Sequence, residues 1–139
     1  MKDNSTFRSI SVIFYAIMTG HILFACVVVF ILKPQPPENL DPDLYISLGA
    51  GMGTVAVMLG YWLYNQRVQA ILKEVATEDE FIEAWKTPVI IRLALIEGAC
   101  LFNLVLLLLT GNSLLLYFYV AAALAMLYAK PRPTDIPEF

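Results

Sequence analysis

Pro88-Val-Ile-Ile-Arg92-Leu-Ala-Leu-Ile-Glu97-Gly98-Ala-Cys100-Leu-Phe-Asn103-Leu-Val-Leu-Leu-Leu-Leu-Thr110-Gly111 is the stretch that decides the fold. It has the length and apolarity of a membrane-crossing helix, which takes about 20 residues at roughly 1.5 Å of rise each. Thr87 is suited to cap its start, Pro88 to occupy its first turn, and Gly111 to stop it. Within it Glu97 stands roughly 13 Å from the polar end, near the middle of a hydrocarbon core about 30 Å thick. A carboxylate there costs on the order of 3 kcal/mol, so Glu97 is expected to face protein rather than lipid.

The remainder of the chain supports an integral membrane class. Hydrophobic residues make up 59% of the 139 positions and charged ones only 15%. That balance, with further apolar runs near 20 residues, excludes an ordinary soluble domain. The net charge is −3 and the basic residues are scattered, which argues against a nucleic-acid surface. Cys26 and Cys100 both sit in apolar runs, so neither suggests a disulfide or a redox pair. A single histidine cannot make a zinc cluster or a bis-histidine haem site, and no metal or cofactor is expected.

Four spans are read, at about residues 10–32, 44–65, 88–110 and 113–129, forming a single membrane domain over residues 1–139. The first run is longer than a signal-peptide core and meets Lys33-Pro-Gln-Pro-Pro without a small-residue cleavage site, so it reads as a retained span. Tyr15, Thr19 and His21 are its interior polar groups. Asp41-Pro42 caps the second span, in which Gly49, Gly53, Ala56 and Gly60 recur at helical spacing as a small-residue packing stripe. Tyr61, Trp62 and Tyr64 fall at its far end, where an aromatic belt belongs.

Residues 66–87 read as an amphipathic cytoplasmic connector. Val68, Ile71, Leu72 and Val75 keep one face, a turn comes near Ala76-Thr77, and Thr77 with Glu80 opens a short segment carrying Phe81, Ile82 and Trp85. That segment is expected to lie along the membrane surface, with Trp62 and Trp85 as interfacial anchors. The tight Gly111-Asn112-Ser113 turn makes the last two spans antiparallel neighbours. The fold class is thus an all-α antiparallel four-helix membrane bundle. Its tail, residues 130–139, contains Pro131, Pro133 and Pro137 and is expected to be extended.

Lys2, Arg8, Arg67, Lys73, Lys86, Lys130 and Arg132 lie on one side of these spans and only Lys33 on the other. The positive-inside rule then puts both termini and the connector in the cytoplasm, in a cytoplasmic (inner) membrane. Arg92, one turn inside that side, is expected to extend its guanidinium to the headgroups. Five residues, about 140° of helix, separate it from Glu97, so the two should not pair. His21 lies at a depth similar to Glu97 and is its most suggestive partner. Thr54 also falls near the midplane, and Asn103 is suited to a bond across helices.

Two resemblances accompany these residues. Ile91-Arg92 through Glu97-Gly98, Leu101-Phe102-Asn103, Leu109-Thr110-Gly111-Asn112 and Lys130-Pro131-Arg132-Pro133 together resemble small four-span membrane proteins of bacteria. That resemblance implies a fold and no activity. Gly49-Ala-Gly51-Met-Gly53 followed by Ala94-Leu-Ile-Glu97-Gly-Ala is similar to the proteolipid hairpin of rotary ATPases, in which a glycine-rich helix packs on one bearing an ion-carrying carboxylate. It would imply that role for Glu97 alone; the long acidic connector and two extra spans depart from the pattern. The preferred functional expectation is a non-enzymatic structural or accessory subunit that self-associates or joins other membrane subunits. The alternative is a proton or small-cation transport element using Glu97, with His21 beside it. No Ser-His-Asp set, paired acids or metal motif points to an enzyme.

Overall fold

The computed structural model describes residues 5–39 and 41–138. Lys2, counted above for orientation, Leu40 in the first loop and Phe139 at the end of the tail lie outside the described residues. The chain is all-α. Helix α1 spans Ser5–Cys26 and continues as a π-helical segment, Val27–Leu32; α2 spans Pro42–Glu74, α3 Glu78–Thr110 and α4 Leu114–Tyr128. Three of these helices, the first taken with its π-helical extension, are long and apolar enough to cross a membrane; α4 is apolar but shorter.

Local chemistry accounts for most of the boundaries. Asp41 caps α2 by accepting from the Asp43 amide at 3.1 Å, with Pro42 in the first turn. Thr77 caps α3 by accepting from the Glu80 amide at 3.3 Å, while the Glu80 carboxylate reaches back to the Ala76 amide at 3.0 Å. Gly111 ends α3 in the left-handed region (φ 62°), its amide donating to the Leu107 carbonyl at 2.8 Å. A side chain at this position would also collide, since an added Cβ would stand 2.6 Å from the Gln35 and Pro36 backbone. Glycine is thus required twice over, by backbone conformation and by the loop packed on it.

Helix α3 is the hub: it packs along α2, α4 and α1, while α2 and α4 also touch each other. Its buried residues run from Phe81 and Trp85 near its start to Leu106 and Leu107 near its end, while a stripe through Ile91, Leu101, Val105 and Leu109 stays exposed. One core cluster joins Ile10, Phe14 and Met18 of α1 to Phe81, Trp85, Val89, Leu93 and Ile96 of α3 and Met126 of α4. A second, toward the other end, joins Ala25 and Val28 to Cys100, Leu104, Leu115 and Tyr119.

The connector differs from the expectation. There is no separate segment along a surface: α2 runs on to Glu74, Val75-Ala76-Thr77 makes the turn, and α3 begins at Glu78 and passes straight through Pro88. Thr77, not Thr87, is therefore the cap, and Pro88 lies inside the helix. Proline within a helix costs about 3 kcal/mol through its missing donor and its ring. Phe81, Ile82 and Trp85 are all fully buried beyond it, and such side chains contribute roughly 1.5–3 kcal/mol each when removed from water. That sum exceeds the proline penalty, so the helix continues and docks. Trp85 is accordingly a core residue and not an interfacial anchor: it stacks with Phe7 and Phe81 at centroid distances of 6.3 and 6.2 Å and donates to the Tyr64 hydroxyl at 2.9 Å.

The tail also departs from an extended course. Pro133–Asp135 forms a 3-10 turn, held by the Arg132 amide donating to the Asp135 carboxylate at 2.9 Å. Pro131 is buried and Ile136 packs against the first core cluster. A proline at the first position of the turn and an aspartate three residues after Arg132 supply this locally, and Ile136 then has apolar surface to cover.

Candidate functional site

Between α1 and α3 the structure brings together His21 and Glu97. His21 Nδ1 and Glu97 Oε2 lie 2.8 Å apart, a hydrogen-bond distance. The imidazole side chain is fully buried and the carboxylate side chain 20% exposed. Tyr119 of α4 lies against the imidazole from a third helix, the two rings edge-to-face at 5.8 Å. His21 Nε2 is buried without a hydrogen-bond partner.

This geometry constrains where protons sit. One proton between Nδ1 and Oε2 either belongs to a neutral carboxyl group donating to the imidazole or to an imidazole N–H donating to a carboxylate. In the first state Nε2 carries a hydrogen with nothing to receive it. In the second Nε2 carries either a lone pair or, for the imidazolium, a proton. A neutral pair avoids separating charge in a low-dielectric interior, where an isolated charge is costly. The contact is a single hydrogen bond across α1 and α3, with one proton between Nδ1 and Oε2.

The other polar residues singled out above go elsewhere. Thr54 is exposed on α2 and does not join the His21–Glu97 pair. On α1, Tyr15 and Thr19 also point outward while His21 points in. Asn103 is 1% exposed; its Nδ2 donates to the Ala99 carbonyl at 2.9 Å, and its Oδ1 has no partner. It lies against the glycine face of α2: a Cβ added at Gly49 would stand 2.6 Å from Asn103 Oδ1, and one added at Gly53 2.9 Å from Nδ2. Gly60 meets the Arg92 carbonyl and Leu95 in the same manner at 3.4 Å, and Ala56 is half-buried beside the second core cluster. The glycine-rich helix thus packs on Asn103 and Arg92, with Glu97 turned toward α1.

Arg92 does not reach outward along its helix. It is 6% exposed, with Nη2 donating to the Ala129 carbonyl at 2.8 Å and the guanidinium 3.7 Å from the centre of the Tyr64 ring. Tyr61 lies on its other flank at 5.5 Å and donates its hydroxyl to the Ala125 carbonyl at 2.8 Å. Tyr61 of α2 and Arg92 of α3 together serve carbonyls at the last turn of α4, where the helix dipole favours a cation. Cation–π contact and a helix terminus hold this charge inside the bundle, although its Nε is buried without a hydrogen-bond partner. Trp62, by contrast, is 57% exposed on the outer face of α2.

Tyr119 and the Tyr61–Tyr64 clasp carry site functions that the sequence reading missed. The i, i+3 spacing of the two tyrosines marks a shared face and could have suggested the clasp. Tyr119 had no such signal, because α4 is apolar on every side. No group of three or more His, Cys, Asp or Glu residues able to hold a metal occurs among the described residues. Comparison of the chain with protein-family models, curated proteins and solved structures finds no match.

Proposed function

We propose that the chain is an integral membrane protein crossing a bacterial inner membrane four times, and that it acts as a non-enzymatic structural or accessory subunit. The exposed apolar faces of α1 and α2, among them Leu23, Phe30, Ile31, Val55 and Met58, support contact with lipid or with neighbouring subunits, including further copies of the chain. Helix α4 is about 22 Å long at 15 residues, and completes a fourth crossing with help from its flanking turns. Arg8, Arg67, Lys73, Lys86, Lys130 and Arg132 gather toward one end of the helices, which supports cytoplasmic termini and a cytoplasmic α2–α3 turn.

The observation that carries the subunit reading is the His21–Glu97 contact. It spends the carboxyl group on joining α1 to α3 within the bundle, a packing role. One further observation favours a second reading, a proton-transport element: the Glu97 side chain is partly exposed and the buried His21 Nε2 is unpartnered. The test is reconstitution of the parent and Glu97→Gln in liposomes with a proton- and cation-flux assay. An amide can bond either imidazole tautomer but cannot titrate. The subunit reading expects both proteins to fold alike and neither to conduct, while Glu97→Leu loses about 1–3 kcal/mol by leaving His21 unpaired. Flux through the parent that vanishes in Glu97→Gln would overturn it in favour of transport.

A further inference from the structure

A groove of about 240 Å³ runs between α2 and α4, away from the His21–Glu97 pair. Gly49, Gly53 and Thr54 form one wall, Phe118 and Ala121 the other, and Asn103 of α3 lies at its floor. Thr54 and Ala121 are exposed, so the groove opens sideways, toward the bilayer in a membrane-inserted chain. Its lining is mainly apolar, yet its floor holds a carboxamide oxygen without a donor. The assignment of that oxygen follows from chemistry: the other amide atom faces the Ala99 carbonyl at 2.9 Å and must be the nitrogen.

We propose that this groove binds a small, membrane-dissolved ring compound carrying one N–H or O–H donor, which it gives to Asn103 Oδ1. Size, chemistry and shape select this ligand. A dry apolar cavity of about 150 Å³ holds benzene, so this volume suits a one- or two-ring molecule of roughly ten non-hydrogen atoms. Buried polar groups are ordinarily paired, so an acceptor held under an apolar groove favours a ligand with a matching donor. Phe118 supplies an aromatic wall for a flat ring. The walls extend little more than two helical turns along α2, from Gly49 to Met58, which is too short a seat for a transmembrane helix. The oxygen is covered by its neighbours, and the Leu115 δ-methyl lies against the same Gly49 position. Binding at the oxygen therefore requires the end of the buried Leu115 side chain to shift.

The test uses indole as the probe and N-methylindole, of nearly the same shape but without a donor, as its comparison. Binding to purified full-length protein in detergent is followed by saturation-transfer NMR, with protein-free micelles as the baseline. The expected result is binding of indole about fivefold tighter than N-methylindole, the worth of one net hydrogen bond. Asn103→Ala should erase that preference while keeping both ligands. Ala121→Phe, on the exposed rim, should abolish binding of both with helix content and thermal stability unchanged. Equal affinity of the two probes for the parent, or unchanged binding in Ala121→Phe, would overturn the proposal and reduce the signal to micelle partitioning. The comparison of the two probes on the parent and the rim variant decides the matter even where Asn103→Ala folds poorly.

Discussion

Replacing the glycines of α2 one at a time by alanine turns the packing of α2 on α3 into a graded measurement. At Gly49 the new methyl would stand 2.6 Å from both Asn103 Oδ1 and Leu115 Cδ2. Carbon contacts settle near 3.5–4.0 Å, so about 1 Å of overlap must be relieved on two sides at once. Neither neighbour yields freely: Asn103 is tied to the Ala99 carbonyl and Leu115 is fully buried. Overpacking of this kind costs about 2–3 kcal/mol, against a gain of about 1 kcal/mol for alanine over glycine in a helix, leaving a net loss of about 1–2 kcal/mol. At Gly53 the single close atom is Asn103 Nδ2 at 2.9 Å, and the two effects should nearly cancel. At Gly51 nothing lies within 4 Å, so alanine should stabilise by up to about 1 kcal/mol. The assay is reversible denaturant unfolding in detergent, followed by helical circular dichroism. The expected order of stability is Gly51→Ala above Gly53→Ala above Gly49→Ala. Gly49→Ala as stable as Gly51→Ala would refute the close approach of α2 to α3. The double variant Gly49→Ala/Asn103→Ala should cost less than the sum of its parts, since one colliding group is gone.

Other parts of the structure make their own predictions. Arg92→Leu should lower stability by about 1–3 kcal/mol, because the Ala129 carbonyl loses its donor and Tyr64 its cation; Arg92→Lys should recover only part of that, since an ammonium cannot stack as a guanidinium does. Equal stability of the parent and Arg92→Leu in the same unfolding assay would remove the clasp from the account of α4. Thr77→Ala should cost about 1 kcal/mol as a lost cap, whereas Thr87→Ala, with Thr87 exposed inside α3, should change little. The reverse result would return the start of the helix to Pro88. In a background lacking Cys26 and Cys100, single cysteines between Lys33 and Asp43 should react with an impermeant thiol reagent outside intact cells, and one at Ala76 should not. Labelling at Ala76 alone would invert the proposed topology.

Much of the helix layout was legible because its causes are local. A run of apolar residues in hydrocarbon has to close its own backbone hydrogen bonds, and the helix does this within four residues. The caps at Asp41, Thr77 and Gly111 work over the same short range, as does the spacing of Gly49, Gly53 and Gly60, which marks one face of α2 before any partner is known. Local rules also set the limit of that legibility. Pro88 reads as a helix start until the burial of Phe81, Ile82 and Trp85 against α1 is counted, and only the assembled core supplies that term.

Which polar side chain meets which is a property of how the helices are rotated and paired. Tyr15, Thr19 and His21 are equally polar candidates along α1, and packing on α3 alone turns His21 inward, to a carboxyl group 76 positions away. Arg92 could satisfy its charge at a headgroup or at a helix end; the arrival of the α4 terminus beside Tyr61 and Tyr64 decided it. Thr54 shares the midspan depth of the site and stands outside it, because depth follows from position along the chain whereas azimuth follows from the sum of contacts between helices. Helix α4, apolar all round, carries almost no preference of its own, so the tertiary structure chose its inward face and with it placed Tyr119 against the imidazole.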